Sequence, residues 1–488
     1  MIQKNLEKVM DYRYLKIFSL LSLSFIVVVI TISIRLDLFG AIKVKTEEEH
    51  VSSNAKKEIA KIFYQDKAQK IDSIMQISTK QYYFNGNVLV AYKGNCIYNE
   101  SFGYADMSRR TKLEKDDIFQ LASVSKQFTA MAVMILKEKN LLNYDDSVTK
   151  FIPEFPYPRI TIRMLLNHTS GLPNYYWLVE HHWHEKKSPV NEDIIKMLAA
   201  HKLNLYFTPG RRWNYSNTGY VVLASIVERI TEKDFADFVH ENIFEPLKMN
   251  NSFVYSSSSV SIKKDHLTGY YYRGRRYRMI PETVNDGAVG DKGVYSTTED
   301  LFKWDQALYH NKLVSSETFN EAISTFKLRD KYEIPYGFGF RIRERNDKKI
   351  AYHHGKWNGF RTSLLRYVED TNTVIVLNHT SSSLNYSIIR EIQQVLDDST
   401  HVDITQKVVS SILDDGIEFA VKYYFDQTNG KNIKLDTVKI SEASQILYDT
   451  NNPANAEKLI LFKKMYLNGE LDTNFMNDIT FLKAVSIK

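Results

Sequence analysis

The segment ASVSKQFTAMAVMILKEK, residues 122–139, places a serine and a lysine at the start of an apolar stretch. Its apolar side chains recur every three or four residues, which predicts a helix with one buried face. Ser123 and Lys126 are three residues apart, so a helix brings them onto the same face. A desolvated lysine can take the serine proton, and the start of a helix favours the negative charge that develops. An S-x-x-K pair also arises by chance, and a solvated lysine is the simpler interpretation of the pair alone.

A second motif, Tyr215-Ser216-Asn217, follows a Pro209-Gly210 turn and precedes a helix predicted over residues 219–229. A phenol close to a cationic lysine can act as a base and then return the proton to a leaving group. The Asn217 amide can hold the lysine and can hydrogen-bond a substrate amide. Without further context, Y-x-N is typical of a surface turn.

A third motif, His353-His354-Gly355-Lys356, stands where strand-like sequence resumes near the end of the core. A glycine in a strand allows another backbone, such as that of a substrate, to lie close to it. A histidine in an edge strand is the simpler interpretation of this motif taken alone.

In this order, the S-x-x-K, Y-x-N and H-x-G motifs resemble those of the serine β-lactamase-related superfamily, in its class C, D-alanyl-D-alanine carboxypeptidase and esterase branch. Further stretches are also similar to this superfamily: GNVLVAYKG (86–94), LLNHTSGLP (165–173), PGRRWNYSNTGYVVLASIVE (209–228), GDKGVYSTTEDLFKW (290–304) and HHGKWNGF (353–360). The resemblance covers residues 65–398. It implies an α+β fold, with an antiparallel sheet flanked by helices and a mostly helical subdomain.

The resemblance also implies a role for each matching residue. Ser123 matches the acylated nucleophile, Lys126 its proton partner, and Tyr215 the general base and acid. Asn217 matches the amide that orients the substrate. His353 matches a residue that supports Tyr215 electrostatically or binds a substrate carboxylate.

The same resemblance implies substrate contacts along the third motif. The backbone N–H groups of Ser123 and Lys356 match an oxyanion hole, and Gly355 lies in the substrate-binding strand. His168 and Gly171 match a structural turn. This chemistry requires no cofactor and no metal.

The chain departs from the family pattern at several positions. It has no K-T-G motif, and its second motif is Y-x-N instead of S-D-N, which disfavours the class A type. His353 stands where relatives that hydrolyse β-lactams usually carry lysine, so β-lactam hydrolysis is expected to be inefficient. Lys356 replaces a residue that is commonly small. Arg361 either binds an acidic group or is a solvated strand residue.

The composition is that of an ordinary globular chain. Of 488 residues, 43% are hydrophobic and 25% are charged, which excludes a mostly disordered or collagen-like chain. The net charge of +6 is small for this length and does not indicate a nucleic-acid partner. Cys96 is the single cysteine, which excludes an internal disulfide and a cysteine-based zinc site.

Residues 17–34 contain no charge, proline or glycine and reach the lower length limit of a membrane-spanning helix. Four basic residues precede this run and three follow it closely, which favours a cytoplasmic N-terminus. We therefore expect an uncleaved signal anchor, in preference to a cleaved signal peptide or a buried helix. The catalytic domain would then lie outside the cytoplasm, in a bacterial envelope.

These patterns divide the chain into four predicted parts. They are a cytoplasmic tail and signal anchor (1–40), a charged linker (41–64), the hydrolase domain (65–398) and a helical C-terminal appendage (399–488). In the appendage, helices are predicted at Val408–Tyr424, Ser441–Tyr448 and Pro453–Met465. The last is similar to part of a tetratricopeptide-type helix pair, and any protein partner of these helices is unknown.

Two other clusters have simpler interpretations. The histidines of EHHWHE (180–185) suggest a metal site, but Lys186 and Lys187 stand where further ligands would be needed, which favours a surface role. The alternating tyrosines and arginines of residues 270–278 suit stacking and phosphate contacts, yet they favour a solvent-facing hairpin.

The sequence therefore predicts a serine hydrolase that forms an acyl-enzyme on Ser123. Its expected substrates are D-alanyl-D-alanine-like peptides. A carboxylesterase or weak class C-type β-lactamase uses the same apparatus and is the first alternative. A penicillin-binding sensor or scaffold without turnover is the second. The expected partners are thus a small peptide, ester or β-lactam substrate, with the membrane bound through residues 17–34.

Overall fold

The computed structural model describes residues 51–255, 266–273, 276–328, 332–397, 404–428, 434–469 and 471. The described residues divide into two compact units, those within 63–401 and those within 1–62 and 402–488. The predicted signal anchor, residues 17–34, lies outside the described ranges. Within those ranges, no helix is both long and apolar enough to cross a membrane.

A six-stranded antiparallel sheet forms the frame of the larger unit, and its strands lie side by side in the order 341–345, 348–357, 360–367, 372–378, 86–92 and 95–102. In chain order the strands are β1 (Gly86–Tyr92), β2 (Asn95–Phe102), β3 (Tyr104–Asp106), β4 (Thr111–Lys112), β5 (Phe119–Gln120), β6 (Phe253–Val254), β7 (Tyr270–Arg273), β8 (Arg276–Met279), β9 (Val294–Ser296), β10 (Phe326–Leu328), β11 (Tyr332–Ile334), β12 (Arg341–Arg345), β13 (Lys348–Trp357), β14 (Phe360–Tyr367) and β15 (Asn372–Asn378). The sheet therefore joins strands from both ends of this unit, as the sequence predicted.

Helices cover the sheet and form a subdomain beside it. They are α1 (Ser53–Phe63), α2 (Gln65–Tyr82), α3 (Lys126–Glu138), α4 (Ile162–Leu166), α5 (Tyr176–His182), α6 (Asn191–His201), α7 (Asn217–Thr231), α8 (Phe235–Val239), α9 (Thr298–Tyr309), α10 (Ser316–Ala322), α11 (Asn385–Asp397), α12 (Ile404–Asp414), α13 (Ile417–Thr428), α14 (Thr437–Asp449) and α15 (Pro453–Leu467). Helices α2 and α11 pack on each other and on the sheet, while α9 contacts β1 and β15.

The predicted hairpin at the start of the domain is confirmed. Strands β1 and β2 pair through a turn in which Lys93 and Gly94 have φ angles of 50° and 75°. Two positive φ angles match the right-handed twist of the flanking strands. Every residue of β15 is buried, and β1 is buried from Gly86 to Ala91, so these two strands form the centre of the core.

Helices α3 and α7 carry the first two motifs and pack on each other. Both are core helices, because α3 is buried from Lys126 to Leu136 and α7 from Thr218 to Val227. Burial on all sides explains why their apolar residues do not form a narrow stripe. The helix start predicted at Ala122 is a 3-10 turn over Ala122–Ser125, and the α-helix itself begins at Lys126.

The smaller unit contains helix α1 and helices α12 to α15, of which the last four pack on one another. The Lys56 ammonium of α1 contacts the Asp414 carboxylate of α12 at 2.7 Å. Residues 53–62, predicted as the end of a linker, thus form a helix of this unit. The single helix predicted over Val408–Tyr424 is wrong, because Gly416 has a φ of 93° and separates α12 from α13.

Candidate active site

Ser123 lies in the 3-10 turn before α3 and is partly exposed between buried neighbours. Ala122, directly before it, has a φ of 50°, in the left-handed region that costs a non-glycine residue about 1–2 kcal/mol. Flanking strands hold the turn in this conformation. The Thr362 hydroxyl donates to the Leu121 carbonyl at 2.6 Å, and the Ser125 hydroxyl accepts from the Val294 N–H at 3.0 Å.

Lys126 is fully buried, and its ammonium contacts three oxygens. Nζ lies 3.2 Å from Ser123 Oγ, 2.9 Å from Asn217 Oδ1 and 2.7 Å from the main-chain oxygen of Asp291. Burial lowers the Lys126 pKa to about 7, with a smaller contribution from Arg341, while the Asp291 carboxylate opposes the shift. A neutral Lys126 amine can donate to the two fixed acceptors and turn its lone pair toward Ser123.

Tyr215 places its hydroxyl in the same pocket, buried and without a hydrogen bond of normal geometry. Burial raises the Tyr215 pKa, and the nearby Ser123 hydroxyl and the Arg341 charge oppose that rise. Lys126 Nζ lies 5.0 Å from the centre of the Tyr215 ring. Tyr215 is therefore a neutral phenol at rest, and its role as general base and acid stays a prediction.

His168 supports the Tyr215 ring from the turn that the sequence predicted to be structural. The two rings lie 4.3 Å apart, and His168 Nδ1 accepts the Ser216 N–H at 3.2 Å. Burial lowers the His168 pKa well below its usual value, so the imidazole is neutral. This side chain positions the Tyr215 phenol.

Asn217 is the first residue of α7, and both ends of its amide are fixed. Its Oδ1 accepts from Lys126, and its Nδ2 donates to the Tyr176 hydroxyl at 3.3 Å. The side chain remains partly exposed. The predicted contacts of Lys126 with Ser123 and Asn217 are thus present in the structure.

His353, the first residue of the third motif, is held by two hydrogen bonds. It is buried, its Nδ1 donates to the His354 carbonyl at 2.8 Å, and its Nε2 accepts from the Tyr336 hydroxyl at 3.1 Å. Burial lowers the His353 pKa well below its usual value, with Lys126 and Arg341 contributing. The ring is therefore neutral in this site, and its role toward Tyr215 or a substrate carboxylate stays a prediction.

Gly355 is required for a reason that the sequence did not give. A Cβ at this position would lie 2.2 Å from Thr362 Oγ1 and 2.3 Å from the Leu121 oxygen. The glycine thus lets β13 lie directly against the turn that carries Ser123. The Lys356 side chain is exposed. The oxyanion hole formed by the N–H groups of Ser123 and Lys356 stays a prediction.

Arg341, at the start of β12, was missed by the sequence analysis. Its guanidinium carbon lies 5.5 Å from the centre of the Tyr215 ring and 5.9 Å from that of Tyr336. In the part of the chain that the structure describes, it forms no ion pair with a carboxylate. Arg341 thus places a positive charge beside the Tyr215 ring, and no motif around it could have indicated this.

Two other predicted features lie on the surface. His182 stacks on His201 with ring centres 3.6 Å apart, and His181 stacks on Trp177. The described ranges contain no group of histidines, cysteines and carboxylates arranged to hold a metal ion. The solvent-facing hairpin predicted at residues 270–278 corresponds to β7 and β8, which pair as antiparallel strands.

The family model for Beta-lactamase matches residues 69–395. This chain belongs to the β-lactamase family. The resemblance carried by the three motifs is confirmed, together with the α+β fold that it implied. The family match includes all seven of the predicted site residues: Ser123, Lys126, Tyr215, Asn217, His353, Gly355 and Lys356.

Two known proteins and one solved structure resemble the chain to different degrees. It is 38% identical over 346 residues to penicillin-binding protein 4* of Bacillus subtilis, covering 68% of this chain and 76% of that protein. It is 27% identical over 278 residues to a D-aminopeptidase of Brucella anthropi, covering 57% of this chain and 52% of that protein, about half its length. The structure of FmtA from Staphylococcus aureus matches with a TM-score of 0.59 at 23% identity, covering 68% of this chain and 86% of FmtA. That last likeness concerns the fold alone.

Proposed function

We propose that this chain is a serine hydrolase that forms an acyl-enzyme on Ser123, with D-alanyl-D-alanine-like peptides as its leading substrates. The observation that carries the proposal is the contact between Ser123 Oγ and the buried Lys126 amine, whose pKa of about 7 makes it a base at neutral pH. A lysine poised in this way activates a serine hydroxyl that is otherwise a weak nucleophile.

In the first half-reaction, Ser123 Oγ attacks the substrate carbonyl carbon while its proton passes to Lys126 Nζ. The carbonyl oxygen becomes an oxyanion held by the N–H groups of Ser123 and Lys356, the predicted donors. Collapse of this intermediate breaks the bond to the leaving amine or alcohol. That group takes a proton from the neutral Tyr215 phenol, which recovers one from the Lys126 ammonium.

In the second half-reaction, water attacks the acyl carbon and gives its proton to neutral Lys126. The new tetrahedral intermediate breaks the ester bond to Ser123, whose oxygen recovers the proton. The products are a carboxylic acid and the free enzyme. Lys126 thus acts as base in both steps, and Tyr215 acts as acid toward the leaving group.

The electrostatics support a substrate with a terminal carboxylate. Arg341 lies beside Tyr215 and has no carboxylate partner in the described ranges, so it can bind an anionic group of the substrate. One relative is a D-aminopeptidase, which agrees with a D-amino acid at the cleavage site, and another is a penicillin-binding protein, which agrees with a pocket that accepts penicillin.

Labelling of the full-length protein tests the nucleophile and the pocket together. A fluorescent fluorophosphonate and a fluorescent penicillin are each expected to label the wild type and not Ser123→Ala. The matched control is Ser216→Ala, which removes a buried hydroxyl within the second motif and should label normally. Labelling by the fluorophosphonate alone would favour an esterase. Labelling of folded Ser123→Ala, or of neither protein, would overturn the proposal.

We also propose that residues 17–34 anchor the chain in a membrane, with the hydrolase unit outside the cytoplasm. The uncharged run and the basic residues before it support this orientation. The test is protease treatment of intact cells that express the full chain. Degradation of the hydrolase unit without lysis is expected, and its protection until lysis would contradict the proposal.

A further inference from the structure

A second lysine, Lys292, is buried beside the active site. Its side chain is 4% exposed, and its Nζ donates to the Tyr175 hydroxyl at 2.7 Å and to the Ala288 carbonyl at 3.3 Å. The Asp291 carboxylate, which is also buried, lies 3.5 Å from the ammonium. These partners compensate the charge, as a buried ammonium requires.

Three aromatic rings surround the same ammonium. Lys292 Nζ lies 5.0 Å from the centre of the Trp357 ring, 5.4 Å from that of Tyr175 and 5.7 Å from that of Tyr176. Cations are attracted to ring faces at such distances. Lys292 therefore holds together residues from the start of α5 and the end of β13.

Two of these rings, Tyr176 and Trp357, form a partly exposed aromatic wall. Their centres lie 5.3 Å apart with 34° between the planes. The indole N–H of Trp357 donates to the Asp286 carboxylate at 2.5 Å, which fixes its orientation. An apolar surface built in this way is rigid. The only polar group of the indole, its N–H, already has a hydrogen-bond partner.

The aromatic wall is connected to the reacting groups. The Tyr176 hydroxyl accepts from Asn217 Nδ2 and donates to Asp291 Oδ2 at 3.2 Å. Asn217 in turn contacts Lys126. On the other side, Trp357 directly follows Lys356, the predicted second oxyanion donor. A substrate carbonyl placed at Ser123 therefore carries its neighbouring group next to this wall.

We propose that Tyr176 and Trp357 form a subsite for an apolar or aromatic substituent next to the scissile bond, held in place by Lys292 and Asp291. The inference rests on the proposed serine hydrolase function and names the kind of substrate that the same site prefers. Lys292 touches no reacting atom and is a positioning residue. Its contacts with a phenol, a main-chain carbonyl, a carboxylate and three ring faces leave it no role as a nucleophile.

The subsite is tested by comparing turnover of p-nitrophenyl phenylacetate and p-nitrophenyl acetate. The wild type is expected to favour phenylacetate in kcat/KM, and Trp357→Leu should reduce this preference about tenfold, mainly through KM. Tyr176→Phe keeps the ring and should keep the preference, while kcat falls because Asn217 loses its hydrogen bond. The matched control is Trp177→Leu, an exposed tryptophan on the same helix, which should change neither value.

Two outcomes separate the subsite from the catalytic proposal. If Ser123→Ala still hydrolyses both esters, the proposed nucleophile is wrong. If Ser123→Ala is inactive and folded Trp357→Leu keeps the wild-type preference, the nucleophile stands and the subsite is overturned.

The positioning role of Lys292 and Asp291 is tested through the pH profile of kcat/KM. The charged groups around Lys126 are Asp291, Arg341 and Lys292, and the neighbouring His168 and His353 are neutral. Lys292→Met removes the ammonium that compensates the Asp291 carboxylate. The uncompensated carboxylate raises the Lys126 pKa, so the acidic limb of the pH profile should move about one pH unit upward. KM for phenylacetate should rise as well.

The double variant Asp291→Asn/Lys292→Met removes both charges and should return the limb toward its wild-type position. It also serves if Lys292→Met alone does not fold. A folded Lys292→Met with an unchanged limb and an unchanged KM, or a double variant that keeps the shifted limb, would contradict the positioning role.

Discussion

Lys126 and Lys292 are two buried lysines of one site, and their surroundings share several features but differ in the position of one carboxylate. Each donates to a main-chain carbonyl and to a hydroxyl, and each lies over aromatic rings. Burial lowers the pKa of both. Lys292 has the Asp291 carboxylate within 3.5 Å, whereas Lys126 is bonded to the main-chain oxygen of that same residue.

This difference shows how a single residue, Asp291, can give two neighbouring lysines different functions. A carboxylate beside a buried ammonium keeps it protonated, while a carbonyl dipole satisfies an N–H without contributing a full charge. Lys292 can therefore remain a cation that organises aromatic rings. Lys126 has a pKa of about 7, so a large part of it is neutral at neutral pH and can accept the proton of Ser123.

The largest expected effect distinguishes the two lysines by activity. Lys126→Met should reduce the rate of acylation by a fluorophosphonate at least about 10³-fold, because the base is lost. Lys292→Met should reduce it by less than about 100-fold, since only positioning is affected. Stopped-flow or gel-based labelling of both variants, with thermal unfolding as the folding control, measures the ratio. Equal losses in two folded variants would show that the comparison is wrong.

The next effect concerns β13, which lies against the turn that carries Ser123 and ends at Trp357, a ring that contacts Lys292. Gly355→Ala should destabilise the fold by about 1–3 kcal/mol and lower acylation, because a Cβ has no space between Thr362 and the Leu121 carbonyl. Gly416→Ala is the matched control. It has a positive φ but no atom within 4 Å of a Cβ, and should cost about 1 kcal/mol without loss of activity. Urea unfolding measures both, and equal costs would mean that β13 can move away from the nucleophile turn.

A smaller effect is expected at Arg341, the other cation near Lys126. Arg341→Gln should raise KM about tenfold for a peptide ending in D-alanyl-D-alanine, because the charge that faces the terminal carboxylate is lost. The same peptide with a C-terminal amide should be nearly unaffected. Steady-state release of D-alanine or its amide provides the comparison. A similar change for both peptides would assign Arg341 to the electrostatics of Lys126 and Tyr215 instead.

The smallest effect is a change in how stability depends on pH. The Lys126 pKa is about 7 in the folded state and near its usual 10.5 when unfolded. Between these values the unfolded chain binds more protons, so stability increases as pH rises. Lys126→Met should lower this slope by about 1 kcal/mol per pH unit between pH 8 and 9. Urea unfolding at several pH values measures the slope, and an unchanged slope would mean that folded Lys126 stays protonated.

The sequence predicted Ser123, Lys126, Tyr215 and Asn217 because each belongs to a short motif whose chemistry depends on neighbouring residue types. It could not predict Arg341 or Lys292 as members of the site. Both come from separate elements, and their importance arises only when the chain brings them near Lys126 and Trp357. Sequence spacing contains no information on such contacts.

The charge state of His353 was also beyond the sequence. An imidazole with its usual pKa can be neutral or positively charged near pH 7. Burial beside Lys126 and Arg341 is what makes the His353 ring neutral. In the fold, the hairpin of β1 and β2 and the later meander of strands followed from alternation and turn residues. The break at Gly416 did not, because an apolar pattern continues across it and the glycine conformation that ends the helix is set locally.

The smaller unit combines segments from before and after the hydrolase unit, and this determines the order in which the chain can fold. Helix α1 is made before the hydrolase unit, and α12, whose Asp414 carboxylate pairs with the Lys56 ammonium of α1, is made after it. During synthesis α1 must therefore wait for α12 until the whole hydrolase unit has left the ribosome. A truncation that removes α12 would leave Lys56 permanently without this partner.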